Sequence, residues 1–374
     1  MSQTEFQEIA HCGGTVTFSI RTTEDGRMQY QVSVQHSRPN AATFLPIYAI
    51  PQGIAVSTFQ LGGIGAPPSR PPIPGCYQVF IGSDSEGMFG HECPVCRNYW
   101  RAEHAVMCPY CGSEADRHQF LTGAQRKYVA HYCETLNEAQ EAGDGDYTIN
   151  MDEVADATAS SNEKPPFYYS ELRRQNLFTC DACGARSDIL GIYGYCSVCG
   201  TRNDLQELKT LITQLHKRIS DGAPPETCVR DAVACFDSFV KRFAELLLSN
   251  VPLTPARRHL IEKRSLHDLA RIVDVFKSVF DIDLSSGITD KDMQFAKRMF
   301  FRRHVYEHSG GEVDQQYIDQ SGDKSVLLRQ AIREDGESAH RIATIVQKLT
   351  ANLHWGFHQI FPPNAEVIRR HADR

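Results

Sequence analysis

The sequence predicts a multidomain α+β chain in which a β-rich N-terminal region and two four-cysteine ribbons precede a C-terminal all-α helical bundle. Three observations carry this. Alternating apolar and polar residues fill short runs within residues 14–82. Eight of the thirteen cysteines fall into four Cys-x-x-Cys pairs. From Asp204 onward apolar residues recur at helical spacing. A chain of 374 residues is too long for one core. It divides into a β-rich domain (1–88), a first ribbon (89–117), a helix (118–142), an acidic linker (143–170), a second ribbon (171–203) and the bundle (204–374).

In the first region, Thr15 to Ile20 and Met28 to Val34 alternate around a turn at Glu24-Asp25-Gly26, as a hairpin does. The glycines after Ile47 and the proline-rich run from Pro67 to Pro74 break regular structure. No catalytic constellation stands out here, so sensing a partner or covering another domain is the expected role. No run of about 18 apolar residues is present and Met1 to Cys12 lacks the order of a signal peptide, so a cytoplasmic chain without membrane contact is expected.

Cys93, Cys96, Cys108 and Cys111 form one pair of pairs, and Cys180, Cys183, Cys196 and Cys199 repeat it. Two thiolates two residues apart bite one tetrahedral ion and a hairpin brings the second pair round, so two structural Zn2+ sites are expected. Glycine follows three of the pairs, as Gly112, Gly184 and Gly200. The alternative, redox Cys-x-x-Cys chemistry, needs one pair at a helix start. The other five cysteines (Cys12, Cys76, Cys133, Cys228, Cys235) are scattered and odd in number, which argues against a disulfide framework. His91 and His104 flank the first ribbon as substitute ligands. Arg97, Arg101, Tyr99 and Trp100 offer charge and aromatic faces for nucleic acid.

Leu121, Tyr128, Tyr132 and Leu136 form the buried stripe of a helix that runs into the acidic stretch. Residues 134–163 hold nine Asp and Glu and no Lys or Arg, and removing these nine charges from the net −7 leaves +2. Bulk charge therefore neither nominates nor excludes an RNA partner. Asp144 and Asp146 lack the spacing of an EF-hand, so the segment reads as a solvated linker rather than a calcium loop.

Helical patterns then cover Leu205 to Ile219, Glu226 to Leu248, Leu266 to Phe280, Lys291 to Glu307 and Val326 to Ile360, giving four or five helices. On the fourth, Met293, Ala296, Phe300 and Val305 can face a core. Lys297, Arg298, Arg302, Arg303, His304 and His308 crowd its C-terminal half, before a stop at Gly310-Gly311. His304 and His308, four apart, share a face. Such a cluster binds a phosphodiester and moves protons; the plain alternative is a capped helix end, with the arginines paired to Glu307. Arg333 and His340 are a looser rival pair.

The motif Arg303-His304-x-x-x-His308 near the end of a long helix resembles the HEPN superfamily, where Arg and His separated by four to six residues, with Asn, Asp or His right after the Arg, is the functional motif. The continuation Tyr306 to Asp314 and the late stretch Asn352 to Phe361 are similar to bacterial proteins that join zinc ribbons to such a domain. The resemblance covers about residues 224–362, with Phe178 to Asn203 also similar. It implies an endoribonuclease that needs no catalytic metal and acts as a homodimer. Arg303, His304 and His308 are then catalytic, and Lys297, Arg298 and Arg302 steer the RNA. It further implies a toxin or anti-phage defence effector held back until a regulatory protein or phage trigger arrives, with the acidic linker as one restraint. The alternative from another class is a non-catalytic adaptor that binds nucleic acid or a protein partner.

Overall fold

The computed structural model describes residues 14–35, 43–60, 70–83, 86–150, 175–262 and 268–373. The chain forms two compact units, one built from the part up to Arg202 together with the segment from Asn364, the other from Asn203–Pro363. It is thus a mixed α+β protein with N-terminal sheets and C-terminal helices.

In the first unit, β1 (Thr15–Thr22) and β2 (Met28–Gln35) form the expected antiparallel hairpin. Val16, Phe18 and Ile20 of β1 are buried while their neighbours are not, the period of a half-buried strand. β3 (Phe44–Ile50), β4 (Ile54–Thr58) and β5 (Tyr77–Gly82) make a second sheet in the order β4-β3-β5. Helix α1 (Gly123–Ala142) starts at a capping box in which Thr122 and Gln125 satisfy each other's backbone amides. Its Tyr128, Val129, Tyr132 and Leu136 join Phe18, Ile47 and Val79 in one core. Gly53 in the β3–β4 turn has a positive φ of 83° and lies so close to α1 that a Cβ there would meet Ala130 Cα at 2.5 Å. Only glycine fits that approach.

The start of the expected acidic linker is sheet. Gly143 ends α1, and β8 (Gly145–Asn150) pairs antiparallel with β1, Val16 opposite Ile149 and Phe18 opposite Tyr147. The Asp144 and Asp146 carboxylates accept hydrogen bonds from the side chains of Thr22 and Arg21. Residues 151–174, the rest of that stretch, lie outside the described residues.

The two ribbons are joined. β6 (Phe89–Glu92), β7 (Tyr99–Ala102), β9 (Gln175–Thr179) and β10 (Arg186–Leu190) form one four-stranded sheet ordered β6-β7-β10-β9. The β7–β10 seam pairs Ala102 with Ser187 and Arg101 with Asp188, and the Arg101 guanidinium reaches the Asp188 carboxylate at 3.3 Å.

The second unit holds α2 (Asp204–Ser220), α3 (Pro225–Asn250), α4 (Pro255–Glu262), α5 (Leu269–Phe280), α6 (Asp290–His308), α7 (Gln315–Ser321) and α8 (Gly336–Ile360). Five of these match the expected helices, while α4 and α7 are short additions. Pro225 starts α3 at the first helical position, where its missing N–H costs nothing. Phe239 and Phe243 stack at 4.5 Å, Phe357 meets Phe243 edge-on at 5.0 Å, and Phe236 meets Phe300 at 5.1 Å, tying α3, α6 and α8 into one core.

Helix α8 begins ten residues later than the periodicity from Val326 suggests. The Asp335 side chain caps it through the Ser338 amide at 2.7 Å, and the preceding residues run beside the segment after α6. Arg329 N–H donates to Val313 O at 2.7 Å and Ile332 N–H to Gly311 O at 2.9 Å. These local backbone bonds outweigh the apolar pattern of Val326 to Ile332.

The chain end departs from the expected bundle. α9 (Ala365–Ala372) belongs to the first unit: Asn364 N–H donates to Cys199 O at 2.7 Å, and Val367 and Ile368 pack against Cys180, Cys196 and Cys199. Among the described residues no helix is long and apolar enough to cross a membrane.

Candidate functional site

The eight paired cysteines converge as two clusters, Cys93, Cys96, Cys108 and Cys111, and Cys180, Cys183, Cys196 and Cys199. In the first, Cys93 and Cys111 sulfurs are 3.7 Å apart and Cys96 and Cys108 3.7 Å. In the second, the corresponding distances are 3.7 Å for Cys180 and Cys199 and 3.6 Å for Cys183 and Cys196. A tetrahedron with metal–sulfur bonds of about 2.3 Å has edges of roughly 3.8 Å, so both clusters fit an ion such as zinc.

The knuckles share one construction. The residue after each pair donates its N–H to the carbonyl of the first cysteine, as Arg97 to Cys93, Gly112 to Cys108, Gly184 to Cys180 and Gly200 to Cys196, at 2.8–3.0 Å. All four have positive φ, and Arg97 at 62° is the position without glycine. The Val95 and Cys96 amides point at Cys93 sulfur at 3.4 Å. Burial pushes the Cys93 thiol up, but hydrogen bonding from Ser113 and these amides outweighs it and brings the thiol down to about 7.

Of the flanking residues offered to nucleic acid, Arg97 is exposed, while the two rings and Arg101 are engaged within the fold. Tyr99 and Trp100 are buried, and Trp100 packs edge-on against Phe120 at 5.3 Å, so neither ring is open to a base. Arg101 is committed to Asp188 and Glu86. His91 is buried beside Trp100, with Nε2 3.3 Å from Ala102 O, and burial lowers its pKa to about 3. Its ring is a packing element, not a ligand.

Helix α6 carries the second cluster. Thr289 caps its start by accepting from Asp292 N–H at 3.1 Å. Phe295, Ala296, Met299, Phe300 and Val305 are buried, whereas Met293 is only partly covered. Gly310 and Gly311, at φ 61° and 89°, stop the helix, and both Ser309 and Gly311 donate N–H to Val305 O.

The cationic residues of this helix fall into different environments. His304 and His308 are exposed, with ring centroids 4.5 Å apart. The His308 side chain is 62% accessible, and its Nε2 lies 3.9 Å from the Glu307 carboxylate. The Arg303 guanidinium is largely buried, donating to Glu307 at 2.9 Å and forming a short ion pair with Asp237 of α3. Glu307 therefore lies between Arg303 and His308. Asp314, bonded to the Tyr317 amide and the Ser309 hydroxyl, has its carboxyl held below the usual range by those bonds and by the charge of His304.

Arg302 is not placed to steer a substrate. Its guanidinium lies within 2.8 Å of Glu334, 2.9 Å of Asp323 and 3.3 Å of the Tyr317 hydroxyl, all largely buried. Tyr306 closes the same network by donating to Glu334 at 2.6 Å. Arg298 is exposed beside Phe295, with the guanidinium 5.7 Å from the ring, and Lys297 is partly covered. Of the rival pair, His340 faces His216 of α2, their Nδ1 atoms 2.7 Å apart, while Arg333 pairs loosely with Glu226 at 3.9 Å.

Asp237 and Asp314 escaped the sequence reading. Asp237 follows the buried Phe236 on α3, and a carboxylate beside an apolar stripe is its only local signal. The group offers two exposed imidazoles for proton transfer, a guanidinium for an oxyanion, and three carboxylates that orient or restrain them.

No protein-family model, no curated protein and no solved structure matches the chain.

Proposed function

We propose that the chain is a metal-independent endoribonuclease of HEPN type, acting as a homodimer in the cytoplasm, with two structural zinc ions in its four-cysteine clusters. The observation that carries this reading is the exposed His304–His308 pair, 4.5 Å apart and next to Arg303 at the end of α6.

Cleavage without a metal needs a base for the 2′-hydroxyl, an acid for the departing 5′-oxygen and positive charge on the phosphorane. The 2′-oxygen bonds to phosphorus as the bond to the 5′-oxygen breaks. The proton leaves on one imidazole, another arrives from a second, and a 2′,3′-cyclic phosphate remains. One His308 cannot hold both roles at once. A second copy of α6 across a symmetric cleft supplies the other His308 and a second Arg303, with His304 gripping or orienting the RNA. Arg303 must exchange Asp237 or Glu307 for phosphate, which makes these carboxylates a resting restraint. That suits a toxin or anti-phage effector released by a trigger.

Purified protein incubated with RNA in EDTA tests the reading. Arg303→Ala and His308→Ala should each abolish cleavage and leave zinc content unchanged; full activity in either variant sinks the assignment.

A non-catalytic adaptor is the second reading, and the engagement of Arg303 by two carboxylates favours it, since a neutralised guanidinium suits structure better than catalysis. RNA bound but never cut in the same experiment would select it.

A further inference from the structure

We infer that the recess between the first turn of α3 and the segment after α6 is a nucleotide subsite, holding one nucleoside monophosphate unit of an RNA strand beside His308. The inference rests on the ribonuclease reading and gives it a substrate-binding pocket that the motif residues do not provide.

The recess has a volume of about 250 Å³ and is lined by Pro224, Tyr306 and Ile332 on its apolar side and by Arg230 and Arg333 among its polar groups. Ligand clefts of about 300–1,000 Å³ hold whole drug-sized molecules, so this one suits a single nucleotide and little more. Gly310 and Gly311 form another part of the wall, two and three residues beyond His308. A Cβ built at Gly310 would meet nothing within 4 Å, and at Gly311 only the edge of Tyr306 at 3.9 Å, so this part of the wall is bare backbone.

The charge at the mouth selects an anion. Arg218 and Arg230 share the Asp231 carboxylate, at 2.9 Å and 3.1 Å. Arg333 faces Glu226 at 3.9 Å, while Glu226 also accepts the Glu334 amide at 3.2 Å. Of the charged groups in the lining itself, two guanidinium groups, Arg230 and Arg333, thus meet one carboxylate, Glu226. Outside the lining, the single Arg302 guanidinium faces two carboxylates, Asp323 and Glu334. Accessibility sharpens the difference: Arg333 is 84% exposed and Arg230 43%, whereas Glu226 is 22% exposed. The charge a ligand meets first is positive. A loose pair such as Arg333 with Glu226 holds its guanidinium weakly, and a phosphate takes it with a stronger, paired set of hydrogen bonds. The apolar side then faces the base.

The four nucleoside 5′-monophosphates, inorganic phosphate and a short RNA test this on the full chain. The monophosphates should bind at least tenfold more tightly than phosphate in calorimetry and should raise the KM for RNA as competitors. Arg333→Glu, on an exposed side chain that folding does not need, should weaken monophosphate binding at least tenfold, with its loss on RNA appearing in KM more than in kcat. Arg230→Ala should do the same more mildly. Monophosphates that fail to bind, or that bind both variants as well as the parent, overturn the subsite. Monophosphates that bind without competing with RNA overturn it in favour of a free-nucleotide site. A chain that cuts no RNA but binds monophosphates through Arg333, in competition with RNA binding, keeps the pocket and loses the nuclease. Cleavage with no effect of either variant keeps the nuclease and loses the pocket.

Discussion

The guanidinium of Arg303 on α6 is held by the carboxylate of Asp237 on α3, so the cation of the motif is fixed by a helix 66 residues away in sequence. A largely buried pair of this kind sets the orientation of the guanidinium, and its loss leaves the charge to Glu307 alone.

Asp237→Ala should therefore lower stability by about 3 kcal/mol, as breaking a buried pair does. Glu307→Gln should cost under about 1 kcal/mol, because an i,i+4 partner contributes little. Thermal melts check both. If the carboxylates restrain the site, Glu307→Gln should also raise RNA affinity several-fold at low salt.

The two imidazoles should separate kinetically. General acid or base catalysis is worth roughly 10²–10⁴-fold, so His308→Ala should lose at least that range in single-turnover cleavage. His304→Ala, in the orienting role, should lose about tenfold and mainly in KM. Equal losses would remove the division between them.

Metal content should follow the two clusters. Elemental analysis should find two zinc ions per chain, and Cys108→Ser should remove one of them. The second should then be held less firmly, because Tyr195 N–H beside the second cluster bonds to Pro109 O beside the first at 2.9 Å. Chelator titration followed by metal release measures this.

Arg97 occupies a left-handed position, at φ 62°, that the other three knuckles give to glycine. Arg97→Gly should raise stability by about 1 kcal/mol, since that backbone conformation costs an L-residue about this much. The exposed pair with Glu92 at 3.6 Å offsets little of it. Denaturant unfolding reads the gain.

Asp323 links pH to the stability of the α7–α8 connection. Burial pushes its carboxyl up, but Ser325, Tyr317 and Arg302 outweigh it and hold the group well below the usual range. With the folded value depressed, the stabilisation is present above the unfolded value of about 3.9 and is lost as pH falls through the folded one. Hydrogen exchange over residues 315–335, corrected for intrinsic rate, should show constant protection from about pH 7 to 5 and a fall below about 4. Asp323→Asn should lower protection at neutral pH by about 3 kcal/mol and flatten the acid fall.

The sequence was legible where a local rule governed the result. Cysteine spacing located both thiol clusters, alternation located the β1–β2 hairpin, and apolar period located the long helices. Long-range pairing was hidden. Nothing in Gly145–Asn150 announces that it joins β1, because its one acidic residue, Asp146, sits on the solvent side and only Ile149 turns fully inward. The fused ribbon sheet likewise depends on a β7–β10 seam across more than 80 residues. At the candidate site the motif was visible, but which cations stay accessible was not. Arg302 and Arg303 are neighbours in sequence, and partners on α3, α7 and the segment before α8 decide their fates.

The position of α9 has a consequence for biogenesis. Its Val367 and Ile368 cover the second thiol cluster, and Asn364 bonds to Cys199, so that centre remains without its lid until residues near Ala372 leave the ribosome. Helices α2 to α8 all precede α9 in the chain, so they are made while the cluster is still uncovered. Ending translation at Pro363 would remove Val367 and Ile368 and leave the second knuckle bare.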